Sequence, residues 1–386
     1  MDKLKHLLLN SRMDKQFYRG DSMTFFVYDS HLTDKEQAIM TDLLKYRVLT
    51  THQIRDKHFG GKGGYVDNVL MRLRKDGYIR TNTLKRSRKG KKGYSYHQLT
   101  ETGKECLERH GVSVEGQSDR IYVSAHQVAN LLLANETLLE FDKLGWGVLD
   151  SRTVKRKYNL DYRDHIHGMV ISPNGEEYGV YTLETSISRN VIGRIQSEIQ
   201  RNKEMIKNYM IIAKGQDSYM LFIDYGLVEE QKSNRPNKRR TRKPLLTNGE
   251  LIIEPFGNIF SKVNAFPNSR SWIEALCRHY GFKLKSTEIQ QGARQSFPTI
   301  VEYGEQEYYL VDLTNHDLNL LNDVVAYNSS HSSRRWEKRE LIIVVLDVNT
   351  KLKKMVSKLP SPIKKVLNAS TFYEIIDLHH QSKTSM

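Results

Sequence analysis

The sequence predicts an α+β chain of several domains, with a small basic module first and strands alternating with helices after it. Three observations carry this reading. At 386 residues the chain exceeds one ordinary domain. Its first third holds two capped helix starts, a glycine-led third helix and two strand-like runs. Beyond about residue 150, strand-like runs alternate with helical apolar spacing, the pattern of an α/β layer structure.

Composition narrows the class. Hydrophobic residues make up 38% and charged residues 27%, as in a soluble globular protein. No apolar run approaches the ~18 residues of a membrane span. The start, Met1 to Leu7, has no signal-peptide core, so a cytoplasmic protein without a membrane partner is expected. Cys106 and Cys277 read as buried or half-buried thiols, and no Cys or His pair has zinc spacing. Neither a structural metal nor a cofactor is therefore expected. Sixty basic against 45 acidic residues give +15 and call for a polyanionic partner. The excess is local: Asp34 to His110 holds 18 Lys and Arg against 9 Asp and Glu.

The elements come in this order. Residues 1–33 read as an irregular extension in which Phe25-Phe26-Val27-Tyr28 forms a short strand or packs onto the adjoining module. Thr33 caps a helix, with Glu36 closing a capping box. Thr50-Thr51-His52-Gln53 starts a second helix, and Gly60-Gly61-Lys62-Gly63-Gly64 leads into a third that runs to Lys75. Val66, Val69, Leu70 and Leu73 form its inner face, and Gly77 suits a left-handed end. Tyr78 to Thr81 and Tyr94 to Leu99 pair as a hairpin, and Thr100 opens a fourth helix. Three helices and a hairpin in this order predict a winged helix-turn-helix over residues 34–112. Residues 113–150 carry a connecting helix, Val123 to Leu144. An α/β domain over 151–230 comes next, with a strand at Glu177 to Glu184, a helix from Asn190 to Tyr209 and a strand at Tyr219 to Asp224. Residues 231–247 read as a basic linker, and 248–386 as a second α/β domain. In it Glu307 to Asp312 repeats the earlier strand, followed by a helix at Leu318 to Tyr327 and a strand at Leu341 to Leu346. A helix from Lys351 and a strand at Phe372 to Ile376 complete it.

The module points to duplex DNA. A recognition helix in the major groove would present Lys62, Tyr65, Asn68, Arg72 and Lys75, opposite its apolar face. Asn68 suits adenine, and Arg72 suits guanine or a phosphate. The wing carries Lys85, Arg86, Arg88, Lys89, Lys91 and Lys92, six cations in eight residues, placed to follow the backbone. The linker adds Arg239, Arg240 and Arg242 to a run of seven cations without an acid. The alternative is a solvated charge run on a module that contacts only protein.

Two constellations suggest chemistry. His165-Ile166-His167 has the His-hydrophobic-His form of metal-dependent nickases, with Tyr209 as candidate nucleophile and Lys214 nearby. A divalent metal would be needed only in that reading; the alternative is two histidines on a partly exposed strand. Asp164 and Glu184, twenty residues apart, resemble the metal-binding acids of restriction-endonuclease-like units. There a lysine follows the second acid, whereas here the run is Glu184-Thr185-Ser186, and Asp312-Leu313-Thr314 lacks it too. One or two such units, degenerate in their active sites, are therefore expected, and no catalytic residue is firm.

The module, the helix from His126 to Trp146, and Asp164 with Pro173-Asn174-Gly175 and Glu184-Thr185-Ser186 together resemble the replication-relaxation family of plasmids and conjugative elements. The resemblance covers about residues 34–225. It implies a winged helix joined to a nuclease-like α/β domain, acting at a replication or transfer origin. A Pro-Asp-Gly turn common in that family is His167-Gly168 here, and the lysine near the second acid is missing. The expected function is sequence-specific binding of duplex DNA as an initiator or accessory factor, with a homodimer and replication or transfer proteins as further partners. The competing readings are a metal-dependent nickase using His165, His167 and a tyrosine, and a transcriptional repressor.

Overall fold

The computed structural model describes residues 32–84, 93–114, 123–226, 230–231, 240–241, 245–266, 268–288, 297–329, 339–347, 353, 356–358 and 363–384. It is a mixed α+β structure of two compact units, Met1–Tyr122 and Val123–Met386.

In the first unit α1 (Asp34–Tyr46) begins at a complete capping box: Thr33 accepts from the Glu36 amide, and Glu36 accepts from the Thr33 amide. After β1 (Leu49–Thr50), Thr50 and Gln53 repeat that box at the start of α2 (Thr51–Phe59). Gly60 closes α2 in the left-handed region, φ 58°, where a side chain would be strained. Next come α3 (Val66–Lys75), β2 (Ile79–Leu84), β3 (Tyr94–Leu99) and α4 (Glu101–Arg109), the last capped by Thr100. The hairpin pairs from Ile79 opposite Leu99 to Leu84 opposite Tyr94. β1, which the sequence did not announce, joins the far edge of β3, so the sheet order is β1-β3-β2. Ile39, Met40, Leu43, Ile54, Val66, Val69, Leu70, Leu73, Leu99 and Leu107 fill the core. Each is worth about 1.5–3 kcal/mol of burial. The helical spacing of these residues, read from sequence, is the spacing that buries them.

The second unit opens with α5 (Ala125–Lys143), which packs on β4 (Gly147–Asp150), β5 (Gly168–Ile171) and β6 (Glu177–Leu183). α6 (Ser151–Lys157), α7 (Arg189–Asn202), β7 (Asn208–Ala213) and α8 (Gln216–Gly226) follow. A two-residue pair, β8 (Glu230–Gln231) and β9 (Arg240–Thr241), precedes β10 (Leu251–Pro255) and α9 (Phe256–Ala265). The remainder is α10 (Ser269–Tyr280), β11 (Lys283–Ser286), β12 (Ile300–Tyr303), β13 (Gln306–Leu313), α11 (Leu318–Ser329), β14 (Glu340–Leu346), β15 (Ile363–Leu367) and α12 (Ala369–Thr384).

Two five-stranded sheets share one plan. In the first, β4, β5 and β6 run antiparallel, and β7 and β10 then join in parallel; in the second, β11, β12 and β13 do the same before β14 and β15. Each passes from antiparallel to parallel through one helix, α7 or α11. The registers match as well: Tyr178 faces Asn208 at the first parallel pair, and Tyr308 faces Glu340. The weak sequence likeness of Glu307–Asp312 to the strand at Glu177–Glu184 is therefore a likeness of position. Buried residues of β6, β7, β10, β13 and β14 share one core with α7, α8 and α11. The other face of the second sheet packs on α10 and α12.

Three expected elements differ. The helix from Asn190 stops at Asn202, and Tyr209 lies in β7. Tyr219 to Asp224 belongs to α8, and Phe372 to Ile376 belongs to α12. In both helices the buried residues recur at i, i+3 and i+4, Tyr219-Phe222-Ile223 and Phe372-Ile375-Ile376, so helical period outweighs the β-leaning composition of short apolar runs. The strand near the end is instead Ile363–Leu367. Among the described residues no helix is long and apolar enough to cross a membrane. Cys106 and Cys277 are free and buried.

Candidate nucleic-acid interface

α3 separates its two faces sharply. Val66, Val69, Leu70 and Leu73 are at most 3% exposed, whereas Lys62, Tyr65, Asn68, Arg72 and Lys75 all lie on the solvent side. Composition alone did not single out Met71, which stands on the same face at 57% exposure beside Tyr65 at 59%. The Tyr65 ring meets Phe59 edge-on at 6.3 Å, which sets it at the α2–α3 turn. The turn before α3 and its outer face together thus offer one amide, three cations and two large contact surfaces. The wing cations Lys85, Arg86, Arg88, Lys89, Lys91 and Lys92 lie outside the described residues, as do Arg239 and Arg242. Arg240 is described only as backbone of β9.

Arg72 has a second commitment. Its Nε donates to Glu36, whose side chain is 3% exposed, while Arg72 stays half exposed. Burial raises the Glu36 carboxyl, but the hydrogen bonds from Arg72 and Thr33 outweigh it and hold Glu36 below its ordinary value. The α1 capping box and the outer face of α3 are therefore joined through one ion pair. On the other side of the unit, Asp42 accepts from Lys57 at 2.9 Å and pairs with His58 Nε2 at 2.8 Å.

In the second unit Asp164, His165, His167 and Tyr209 lie near one another but are not joined in one constellation. Asp164 is buried and accepts from Arg201 and from Asn202 Nδ2 at 3.0 Å. The His165 amide donates to Glu198 at 2.7 Å, and its Nδ1 lies 2.6 Å from the other Glu198 oxygen. Burial raises the Glu198 carboxyl, against the pull of those bonds. His167 turns elsewhere: its Nδ1 accepts the Thr182 amide at 2.8 Å, and burial pushes the ring down to about 4. Tyr209 is fully enclosed in β7, its hydroxyl without a hydrogen-bond partner among the described residues. Burial, then the nearby Asp164 and Glu198, keep that phenol protonated. Glu184 is exposed just beyond β6. Among the described residues no group of three or more His, Cys, Asp or Glu is placed to hold a metal ion. Sequence reasoning missed Glu198, Arg201 and Asn202, whose only signal is their i, i+3, i+4 spacing on α7.

Neither the curated proteins nor the solved structures contain a match to this chain. Residues 40–154, from within α1 to within α6, match the model of the replication-relaxation family, the family that the sequence resembles.

Proposed function

We propose that the first unit is a winged helix-turn-helix that binds duplex DNA, with α3 in the major groove and the β2–β3 hairpin as its wing. The protein would act at a replication or transfer origin of a mobile element, as initiator or accessory factor. The observation that carries this is the outer face of α3, where Asn68, Arg72 and Lys75 stand exposed on a helix anchored by its apolar side, with Lys62 exposed in the turn before it. Support comes from the local charge, the six cations between β2 and β3, and the family match, which associates the chain with replication or relaxation. In this reading the two α/β halves are nuclease-like units kept as a scaffold. The tyrosine-nickase alternative finds no support in the geometry, since Tyr209 is enclosed and the two histidines bond to different partners.

Fluorescence anisotropy on labelled duplexes at rising salt tests the proposal. Binding should fall steeply with salt, and an origin duplex should outlast a random one. Asn68→Ala should cost the origin duplex about tenfold or more while sparing random DNA. Lys75→Ala should weaken both alike and flatten the salt slope by about one. Equal affinity for every sequence would remove the origin-binding reading.

A further inference from the structure

A cavity of about 210 Å³ opens in the second unit between the β5–β6 turn, the β10–α9 segment, the start of α10, the segment before β12 and the loop after β13. It lies where the two sheets of like plan meet. Its walls include the rings of Trp146, Tyr178 and Trp272, and its charge is lopsided. Among the described residues four carboxylates, Glu176, Glu250, Asp312 and Asp317, face one cation, Lys262.

Most of these groups are engaged within the protein. Lys262 lies over the Trp272 ring at 4.5 Å, 3.5 Å from Glu254, and bonds to Asn315. Asp312 accepts the Trp272 indole N–H at 2.8 Å and the Thr314 amide at 2.9 Å. Asp317 accepts three main-chain amides, those of Leu251, Asn319 and Leu320. Glu176 and Glu250 differ. Both meet the same phenol, Tyr178 Oη, at 3.1 and 2.9 Å. A phenol donates one proton, so two carboxylates share one donor. The other Glu250 oxygen has only a long contact, Asn315 Nδ2 at 3.4 Å. The pair is short of donors and opens onto a cavity. Glu176 is exposed and Glu250 half-buried, so it runs from the mouth inward. Burial raises the Glu250 carboxyl above its ordinary value, against the pull of the Tyr178 hydrogen bond and the Lys262 charge.

We propose that this cavity binds a small alkylammonium ligand of the diamine or polyamine class, whose ammonium group donates to Glu176 and Glu250 while its methylene chain lies against Trp146 and Tyr178. An ammonium brings three donors and a second positive charge to a cavity where Lys262 faces four carboxylates. Aromatic walls favour an organic cation over a hydrated metal ion. The described residues offer no metal cluster, and four carboxylates disfavour an anion. The whole chain carries +15, which opposes loose adsorption of polycations, so saturable uptake requires a local site.

Isothermal titration of the DNA-free full chain with putrescine and with spermidine, at fixed ionic strength, tests this. One saturable site is expected, weakened about tenfold or more by Glu176→Gln and by Glu250→Gln. Glu176 is exposed, so its variant keeps the test open should the Glu250 variant misfold. Three outcomes would overturn the proposal: no saturable heat up to about 10 mM, unchanged affinity in Glu176→Gln, or Mg²⁺ taking the same site with equal effect.

Discussion

His97 sits in β3 with a hydroxyl on each ring nitrogen: Thr51 Oγ1 at 2.9 Å from Nε2 and Thr81 Oγ1 at 2.8 Å from Nδ1. One hydroxyl donates and the other accepts, so the neutral ring is fully satisfied and a second ring proton would break one bond. Burial, then the charge of Arg74, pushes the ring down to about 4. An unfolded chain titrates near 6.5, so protons bind the unfolded state first. The stability that His97 gives is complete above about pH 6.5 and is lost as pH falls towards 4, by about 3 kcal/mol. Hydrogen exchange at the β3 amides, corrected for intrinsic rates, should show protection declining over that window and a weaker decline in His97→Gln. Flat protection in the wild-type chain would contradict it. Nothing in the sequence marks His97, because its role depends on two threonines 46 and 16 residues away. The α3 cations were legible, since a solvent face follows from the apolar face opposite. What was not legible is that Arg72 also neutralises buried Glu36, so Arg72→Ala should destabilise the first unit as well as weaken the proposed binding of DNA.

At the scale of elements, the capped starts at Thr33, Thr50 and Thr100 were readable because capping is local chemistry. The run Leu99-Thr100-Glu101-Thr102-Gly103 was readable as a pattern, but its reason is spatial. A Cβ on Gly103 would lie 2.2 Å from the Tyr78 carbonyl oxygen, so the first turn of α4 rests against the start of the hairpin. Gly103→Ala should therefore destabilise the first unit by about 2 kcal/mol or more, read as an earlier urea midpoint by circular dichroism. A midpoint within error of wild type would show that the two elements separate freely. α8 and α12 were misread as strands because short apolar runs rich in Tyr, Phe and Ile satisfy both periods. Only their burial at i, i+3 and i+4 decides.

At the scale of the molecule, the sequence disclosed a basic first module and a second region of repeated α/β character. It could not disclose that the repeats share strand order and parallel register, which long-range pairing alone defines. The likeness of Glu307–Asp312 to the strand at Glu177–Glu184 was its trace. All three tryptophans, Trp146, Trp272 and Trp336, lie beyond the first unit. Indole fluorescence thus reports the second unit alone, while far-ultraviolet circular dichroism reports both. Denaturant transitions by the two probes should not coincide. Superimposable curves would mean that the chain unfolds as one.

Sheets of the same plan in one chain invite exchange during folding, since strand order and register alone do not distinguish β14 from β7 as a neighbour for β6. The residues at one cross-strand position act as a key against it. Gly179 faces Tyr209, and the Tyr209 ring lies 3.0 Å from where a Gly179 Cβ would be; the equivalent pair in the second sheet is Tyr309 with Leu341. Exchanged strands would set Tyr309 against Tyr209, two rings in space shaped for one, and leave Gly179 opposite Leu341 with a void. A single glycine thereby helps each half of a duplicated architecture find its own strands.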